Sequence, residues 1–121
     1  MTLMMNRYLG IVLFLVIFPA ICLADQFKCT RVTDGDTINV VSNGHKEIIR
    51  LVGIDAPETS KKKNEPGQPF SQKSTKYLAG LVLNKSVDVK SYGTDRYGRT
   101  LAVVFVDGKN VNLEMIKAGL A

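Results

Sequence analysis

Three short stretches combine acidic and basic residues in patterns suited to chemistry at a phosphate ester. They are Asp34-Gly35-Asp36-Thr37, Arg50-Leu-Val-Gly-Ile-Asp55-Ala56-Pro57-Glu58 and Asp95-Arg96-Tyr97-Gly98-Arg99. Carboxylate oxygens collect a hard divalent cation such as Ca²⁺. Guanidinium groups grip a phosphate through paired, charge-assisted hydrogen bonds. A glutamate beside both can take a proton as water attacks phosphorus. Each stretch also has a plainer reading. An isolated Asp-Gly-Asp is an ordinary turn. Arg50, inside Ile48-Ile49-Arg50-Leu51-Val52, needs an anion, and an aspartate can serve as well as a ligand. Arg99 after Gly98 suits a solvated arginine, Tyr97 can simply pack, and Glu58 can face solvent at the start of a loop. Asp55-Ala-Pro-Glu58 tips the balance toward a metal, and Pro57 stiffens the backbone just before Glu58.

These residues must sit where regular elements end. Residues 26–33 read as a strand that turns at Asp34-Gly35, and Thr37 to Val41 as a second. Asn43-Gly44 is the dipeptide favoured in two-residue hairpins, and His45 to Ile54 returns as a third strand. Residues 60–69 have turn-forming composition and no apolar period, which implies a surface loop. From Phe70 to Leu83 the period becomes helical, with Tyr77, Leu78, Leu81 and Val82 on one face. Ser71 or Pro69 opens this helix and Asn84 lies near its end. Ser86 to Ser91 and Thr100 to Val106 are two further strands, the second closed by Asp107-Gly108. Asn110 or Asn112 caps a short helix through Lys117, with Gly119 just beyond it. The order β-β-β-α-β-β-α predicts a mainly β protein, a five-stranded OB-fold barrel with packed helices.

The first 24 residues do not belong to that domain. Arg7 precedes an apolar run from Leu9 to Phe18, broken only by Gly10, and Pro19 and Ala20-Ile-Cys22-Leu-Ala24 follow. This is the pattern of a signal peptide cleaved after Ala24, and the run is short of the roughly 20 apolar residues of a spanning helix. Residues 25–121 then form one small domain. Cleavage removes Cys22 and leaves Cys29 as the lone thiol, unable to form an internal disulfide and expected to be a small buried hydrophobe. The whole chain carries a formal charge of +5. That suits an anionic polymer and equally an ordinary soluble protein. His45, the sole histidine, cannot build a histidine-based zinc site. Lys61-Lys62-Lys63 either attracts phosphate non-specifically or is merely solvated.

The stretches VTDGDTI (32–38), RLVGIDAPET (50–59) and TDRYGRTLA (94–102) resemble the three motifs of the thermonuclease family, the staphylococcal nuclease-like proteins. GQPFSQ (67–72) and DGKNVNLEMIKAGLA (107–121) are also similar to that family, so the resemblance covers nearly all of residues 25–121 in the family's order. It implies a Ca²⁺-dependent nuclease that cuts DNA and RNA, preferably single-stranded, at the 5′ P–O bond to leave 3′-phosphate ends. By that resemblance Asp36, Asp55 and the Ala56 carbonyl bind Ca²⁺, with Asp34 in or just outside the coordination sphere. Arg50 and Arg99 clamp the scissile phosphate and Glu58 acts as general base. Tyr97 bonds a substrate phosphate, and Arg96, where the family often has lysine, contacts another. Phosphate and metal contacts carry little sequence information, so base preference should be weak. Export implies a secreted or periplasmic protein with no stable membrane association after cleavage.

Two departures stand out. Ala56 replaces a threonine of some members, which a backbone ligand tolerates. Members also usually continue past Gly-Leu-Ala into a further segment, which carries two tyrosines that line the base site, and a C-terminal helix. The expectation is therefore a domain lacking that helix: a fragment of a longer product, one whose bare face a partner covers, or one whose fold is compensated in another way. The rival functions are a non-catalytic OB module that binds single strands and an inactive remnant. The first is short of stacking aromatics, since Tyr77 reads as helix core and only Tyr92 and Tyr97 remain.

Overall fold

A computed structural model of the chain describes residues 25–58 and 67–121. The expected signal peptide and most of the expected 60–69 loop, including Lys61 to Lys63, lie outside the described residues.

Among the described residues six strands and two helices follow one another: β1 (Asp25–Asp34), β2 (Thr37–Ser42), β3 (His45–Leu51), α1 (Ser71–Val82), β4 (Ser86–Thr94), β5 (Thr100–Val106), β6 (Lys109–Asn110) and α2 (Val111–Lys117). The sheet order is β3-β2-β1-β4-β5-β6, and a further β3–β5 pairing closes the first five strands into the expected barrel. β1 makes closure feasible. Its N-terminal part pairs with β4 and its C-terminal part with β2, and register shifts at Cys29/Arg31 and Val32/Asp34 bend it between them. Bulges of this kind increase local twist and curvature. The seam itself is parallel and short, matching Ile49 with Thr100, Arg50 with Leu101 and Leu51 with Ala102.

Alternation along the strands fills the barrel. Phe27, Cys29, Ile38, Val40, Ile49 and Leu51 point inward, while Lys28, Asn39, Ile48 and Arg50 face the other way. Each large aliphatic side chain so buried contributes about 1.5–3 kcal/mol. Cys29 is among them as expected, and burial pushes its thiol pKa up, only partly offset by its bond to the Arg31 carbonyl. α1 lies on β1, and α2 packs on α1 and β5.

Several boundaries differ from expectation. β3 ends at Leu51 and does not reach Ile54. Gly53 turns the chain with φ +79°, while the Val52 N–H reaches across to the Ala102 carbonyl. The helix α1 is entered through Phe70 in the left-handed region, without a side-chain cap, and Ser71 is its first residue. Ser71, Ser74, Leu78 and Val82 are its buried positions, so Tyr77 is not core. One step of about 100° from Leu78 carries Tyr77 to the helix flank, where it is 39% exposed. β4 runs on to Thr94 after an irregularity at Ser91/Gly93. Asn110, not Asn112, caps α2 through the Leu113 N–H. Buried Asn112 instead accepts from the Val104 N–H and donates to the Val52 and Ala102 carbonyls, pinning the turn after β3 to β5.

Candidate functional site

The turn between β1 and β2 carries Asp34, Gly35 and Asp36, all buried. Gly35 is needed for space: a Cβ there would lie 1.8 Å from Ser74 Oγ on α1. The resulting close approach seats Asp36 in a fixed cradle. Its Oδ1 accepts from the Thr37 hydroxyl (2.9 Å) and its Oδ2 from the Ala56 N–H (2.9 Å). Asp34 accepts from the Asp36 N–H at 3.2 Å. Burial pushes the Asp34 carboxyl up to about 7, reinforced by its hydrogen bond with Asp36 and by the charges of Asp36 and Glu58. Two such carboxylates held side by side favour a cation among them.

The β3 exit supplies the next group. Arg50 lies on the barrel's outer side, and its Nη1 donates to the carbonyls of Leu51 (2.6 Å) and Ile54 (2.8 Å). Those bonds exist because the Gly53 turn folds the chain back over the guanidinium. Nη2 then stands 3.4 Å from Asp36 Oδ2 and 3.6 Å from Asp55 Oδ1. The anionic partner that Arg50 requires is thus supplied by both aspartates. The Ala56 amide is tied to Asp36, which brings the Asp55–Ala56 backbone against the β1–β2 turn. Glu58 is exposed, but its backbone is not loose. Its N–H donates to the Gln68 side-chain oxygen (2.7 Å), and its carbonyl accepts from the Gln68 N–H (2.8 Å).

Asp95 organises the third stretch. Its Oδ1 accepts from the Tyr97 and Arg99 backbone amides (2.9 and 3.0 Å) and its Oδ2 from Arg99 Nε (2.7 Å). Slight desolvation works to raise the Asp95 carboxyl, but the Arg99 amide and side chain and the Tyr97 amide outweigh it and hold the pKa below its ordinary value. With Nε engaged, the outer edge of the Arg99 guanidinium is aimed by its carboxylate rather than left to wander. Tyr97 lies between two arginines, with Arg96 4.9 Å and Arg99 5.4 Å from its ring centre, and Arg96 Nη2 donates to its hydroxyl at 2.7 Å.

Carboxylate oxygens of Asp36, Asp55 and Glu58 lie within 4.8 Å of one another. A groove of about 590 Å³ brings Glu58 together with Asp34, Thr37, Tyr97 and Arg99, and a shallower one of about 220 Å³ joins Arg50 to Arg99. Asp34, Asp36, Arg50, Asp55, Ala56, Glu58, Tyr97 and Arg99 therefore gather at one end of the barrel. Arg96 is exposed and reaches this place only through Tyr97. Glu58, expected as a base, stands with the two aspartates as a third potential oxygen ligand. Sequence reasoning assigned nothing to Gln68 or Asp95. The Asp95 signal was its place four residues before Arg99. Gln68 lay inside the GQPFSQ stretch, but no spacing rule points from it to Glu58.

Comparisons with known proteins point to one family. A family model described as staphylococcal nuclease homologue matches residues 48–121. An uncharacterized endonuclease of Haemophilus influenzae is 42% identical over 123 aligned positions, covering 98% of this chain and 65% of the relative. Another uncharacterized endonuclease, from Escherichia coli O157:H7, is 42% identical over 118 positions, covering 97% and 72%. The thermonuclease of Staphylococcus hyicus is 38% identical over 97 positions, covering 78% and 57%. The chain spans just under two thirds of the Haemophilus relative's length and just over half of the staphylococcal one.

Proposed function

This chain belongs to the staphylococcal nuclease homologue family, and from that premise we propose that it hydrolyses phosphodiester bonds of DNA and RNA with Ca²⁺. The observation that carries the reading is the trio Asp36, Asp55 and Glu58, drawn from two separate segments with oxygens within 4.8 Å, beside the Arg50 guanidinium.

The donor set fits Ca²⁺. All three side chains offer hard carboxylate oxygens, and burial together with the nearby charges of Asp36 and Glu58 raises the pKa of neighbouring Asp34, so a cation at this corner would be welcome. Asp36 and Asp55 would hold the ion with the Ala56 carbonyl, and Asp34 would stand beside it. The ion would supply positive charge next to the scissile phosphate. Arg50 and Arg99 neutralise the phosphoryl oxygens as phosphorus becomes five-coordinate, a stabilisation of a few kcal/mol per donor. Glu58 accepts the proton of the attacking water as its oxygen bonds to phosphorus. The P–O5′ bond breaks and the departing O5′ takes a proton from solvent, leaving a 5′-hydroxyl on one fragment and a 3′-phosphate on the other. Tyr97, oriented by Arg96, binds a neighbouring phosphate. The proposal includes preference for single strands and export through residues 1–24, supported by their charged start and apolar run.

The direct test uses denatured DNA. Acid-soluble nucleotides should be released with Ca²⁺, release should stop on adding a chelator, and excess Ca²⁺ should restore it. Binding without turnover would instead favour the non-catalytic module.

A second expected result concerns the Glu58 backbone. Gln68→Met removes the oxygen that accepts from the Glu58 amide while keeping the side chain's length. Loss of alignment of a reacting group by about 1 Å can lower rates roughly a hundredfold. One of the two backbone ties survives, so kcat should fall about tenfold with KM nearly unchanged. Steady-state kinetics beside a thermal melt would show whether the loss is positional or a loss of fold.

A further inference from the structure

The two arginines of the proposed phosphate grip stand on different parts of the chain. Arg50 belongs to β3, and Arg99 closes the turn that leads into β5. The bonds that hold Arg99 through Asp95 all lie inside that turn. The Asp95 carboxylate takes the Arg99 amide and Nε, and the Asp95 N–H donates to the Arg99 carbonyl at 2.9 Å. They make residues 95–99 one firm unit, but they do not set where that unit stands relative to Arg50.

What joins the unit to β3 is the residue after Arg99. Thr100 opens the parallel seam opposite Ile49, and only Leu101 and Ala102 follow it there. Before Ile49, β3 pairs with β2 alone, so the backbone ladder toward β5 stops where the Arg99 turn enters. A side chain takes over from it. Glu47 lies two residues before Ile49 and so on the same face of the strand. Its Oε1 accepts from the Thr100 hydroxyl at 2.8 Å, across 53 residues of sequence. Thr100 is buried and the Glu47 side chain is 27% exposed, so this charge-assisted bond is largely screened from water. The other carboxylate oxygen stands 3.7 Å from His45 Nε2, beyond hydrogen-bond reach.

We propose that Glu47 is a positioning residue for phosphodiester cleavage. Acting through the Thr100 hydroxyl, its carboxylate fixes the separation of Arg50 and Arg99, which share the shallow groove of about 220 Å³. Glu47 touches no reacting atom; it keeps the Arg99 turn docked against the strand that carries Arg50. This deepens the nuclease reading and rests on it for what the arginines grip. Its own content is the spacing between them.

The test combines kinetics on denatured DNA with crystal structures. Glu47→Met removes the acceptor at nearly constant length, and Thr100→Val removes the donor at nearly constant shape. Each should lower kcat about tenfold and leave KM within about twofold, because a charge-stabilising group misplaced by about 1 Å acts poorly on the transition state. The double variant should be no slower than either single one, since the same bond is lost in all three. Glu47→Gln and Thr100→Ser keep an acceptor and a donor, and should stay within about threefold of wild type. Glu47→Met made in an Arg99→Ala protein should alter the residual kcat by less than about twofold, as no second arm is left to misplace. An equal loss in both backgrounds, the mark of a damaged fold, would overturn the proposal, and so would wild-type rates in Glu47→Met and Thr100→Val. In crystals of Glu47→Met the separation of the Arg50 and Arg99 guanidinium groups should widen by about 1 Å. If wild-type protein cleaves no DNA, the nuclease reading fails, yet this separation still decides the matter: widening upholds Glu47 as the spacer, and an unchanged separation overturns it.

Discussion

Glu58→Gln is expected to lower kcat by about a thousandfold, the range for loss of a general base, which corresponds to about 4 kcal/mol of barrier. The substitution is nearly isosteric and the side chain is exposed, so packing should not change. Both hydrogen bonds between Glu58 and Gln68 use the Glu58 backbone and survive. What is lost is a proton acceptor and one of three crowded negative charges. KM should therefore move little, because Arg50 and Arg99, the groups proposed to meet the phosphate, are untouched. The unfolding midpoint should hold steady or rise as charge repulsion at this corner falls. Retention of more than a tenth of wild-type kcat would remove Glu58 from the role of base.

Gly35→Ala is expected to produce the largest loss of stability for a single added methyl group. The new Cβ would fall 1.8 Å from Ser74 Oγ, 2.9 Å from Ser74 Cβ and 2.7 Å from the Ala56 Cβ. None of these atoms is free to retreat. Ser74 is fully buried and its hydroxyl donates to the Leu120 carbonyl at 2.8 Å, and Ala56 is held by Asp36. Overpacking typically costs 1–3 kcal/mol, and here about 3 kcal/mol is expected because two rigid neighbours are struck. For a domain of this size that is a fall in melting temperature of roughly 15 °C. Removing the Ser74 side chain in a Gly35→Ala/Ser74→Gly double variant should recover part of the loss, with the Ala56 contact preventing full recovery. A drop below about 1 kcal/mol for the single variant would mean that α1 can shift away from the turn at little expense.

Much of this arrangement could be read from the residues before any coordinates. The Asn43-Gly44 hairpin, the period change at Phe70 and the alternation around Val87 and Val104 each report local physics, and each element appeared. The chemically suggestive stretches also fell at strand ends as expected. What escaped was set by contacts between distant parts of the chain. β3 stopped short of Ile54 because Val52 pairs with Ala102 and Gly53 turns, a choice made by a neighbouring strand about fifty residues away in sequence. Tyr77 had the right spacing for a core face, but the barrel surface accepted Ser71 and Ser74 in its place. Ser74 is there because Gly35 leaves room for it and Leu120 accepts its proton, neither visible in helical periodicity. Gln68 is the clearest omission at the site. Its partner is a backbone amide, which every residue type possesses and no motif can advertise.

The parallel seam between β3 and β5 has a consequence for when activity can arise during folding. It brings Arg50 beside Leu101, immediately after the turn that carries Arg99. These partners are separated by roughly fifty residues of chain, and contacts of such long range form late and slowly. The N-terminal meander carries Asp34, Asp36 and Arg50, yet it holds only one half of the proposed phosphate grip. The turn leading to Asp55 is itself tied to β5 through the Val52 N–H and to Asn112 through the Val52 carbonyl. On the proposed function, catalytic competence is thus a property of the last closure and not of any partial intermediate, so an emerging or half-collapsed polypeptide should be inert toward nucleic acid. Recovery of cutting activity on refolding should accordingly lag the return of hairpin structure and report on ring completion alone.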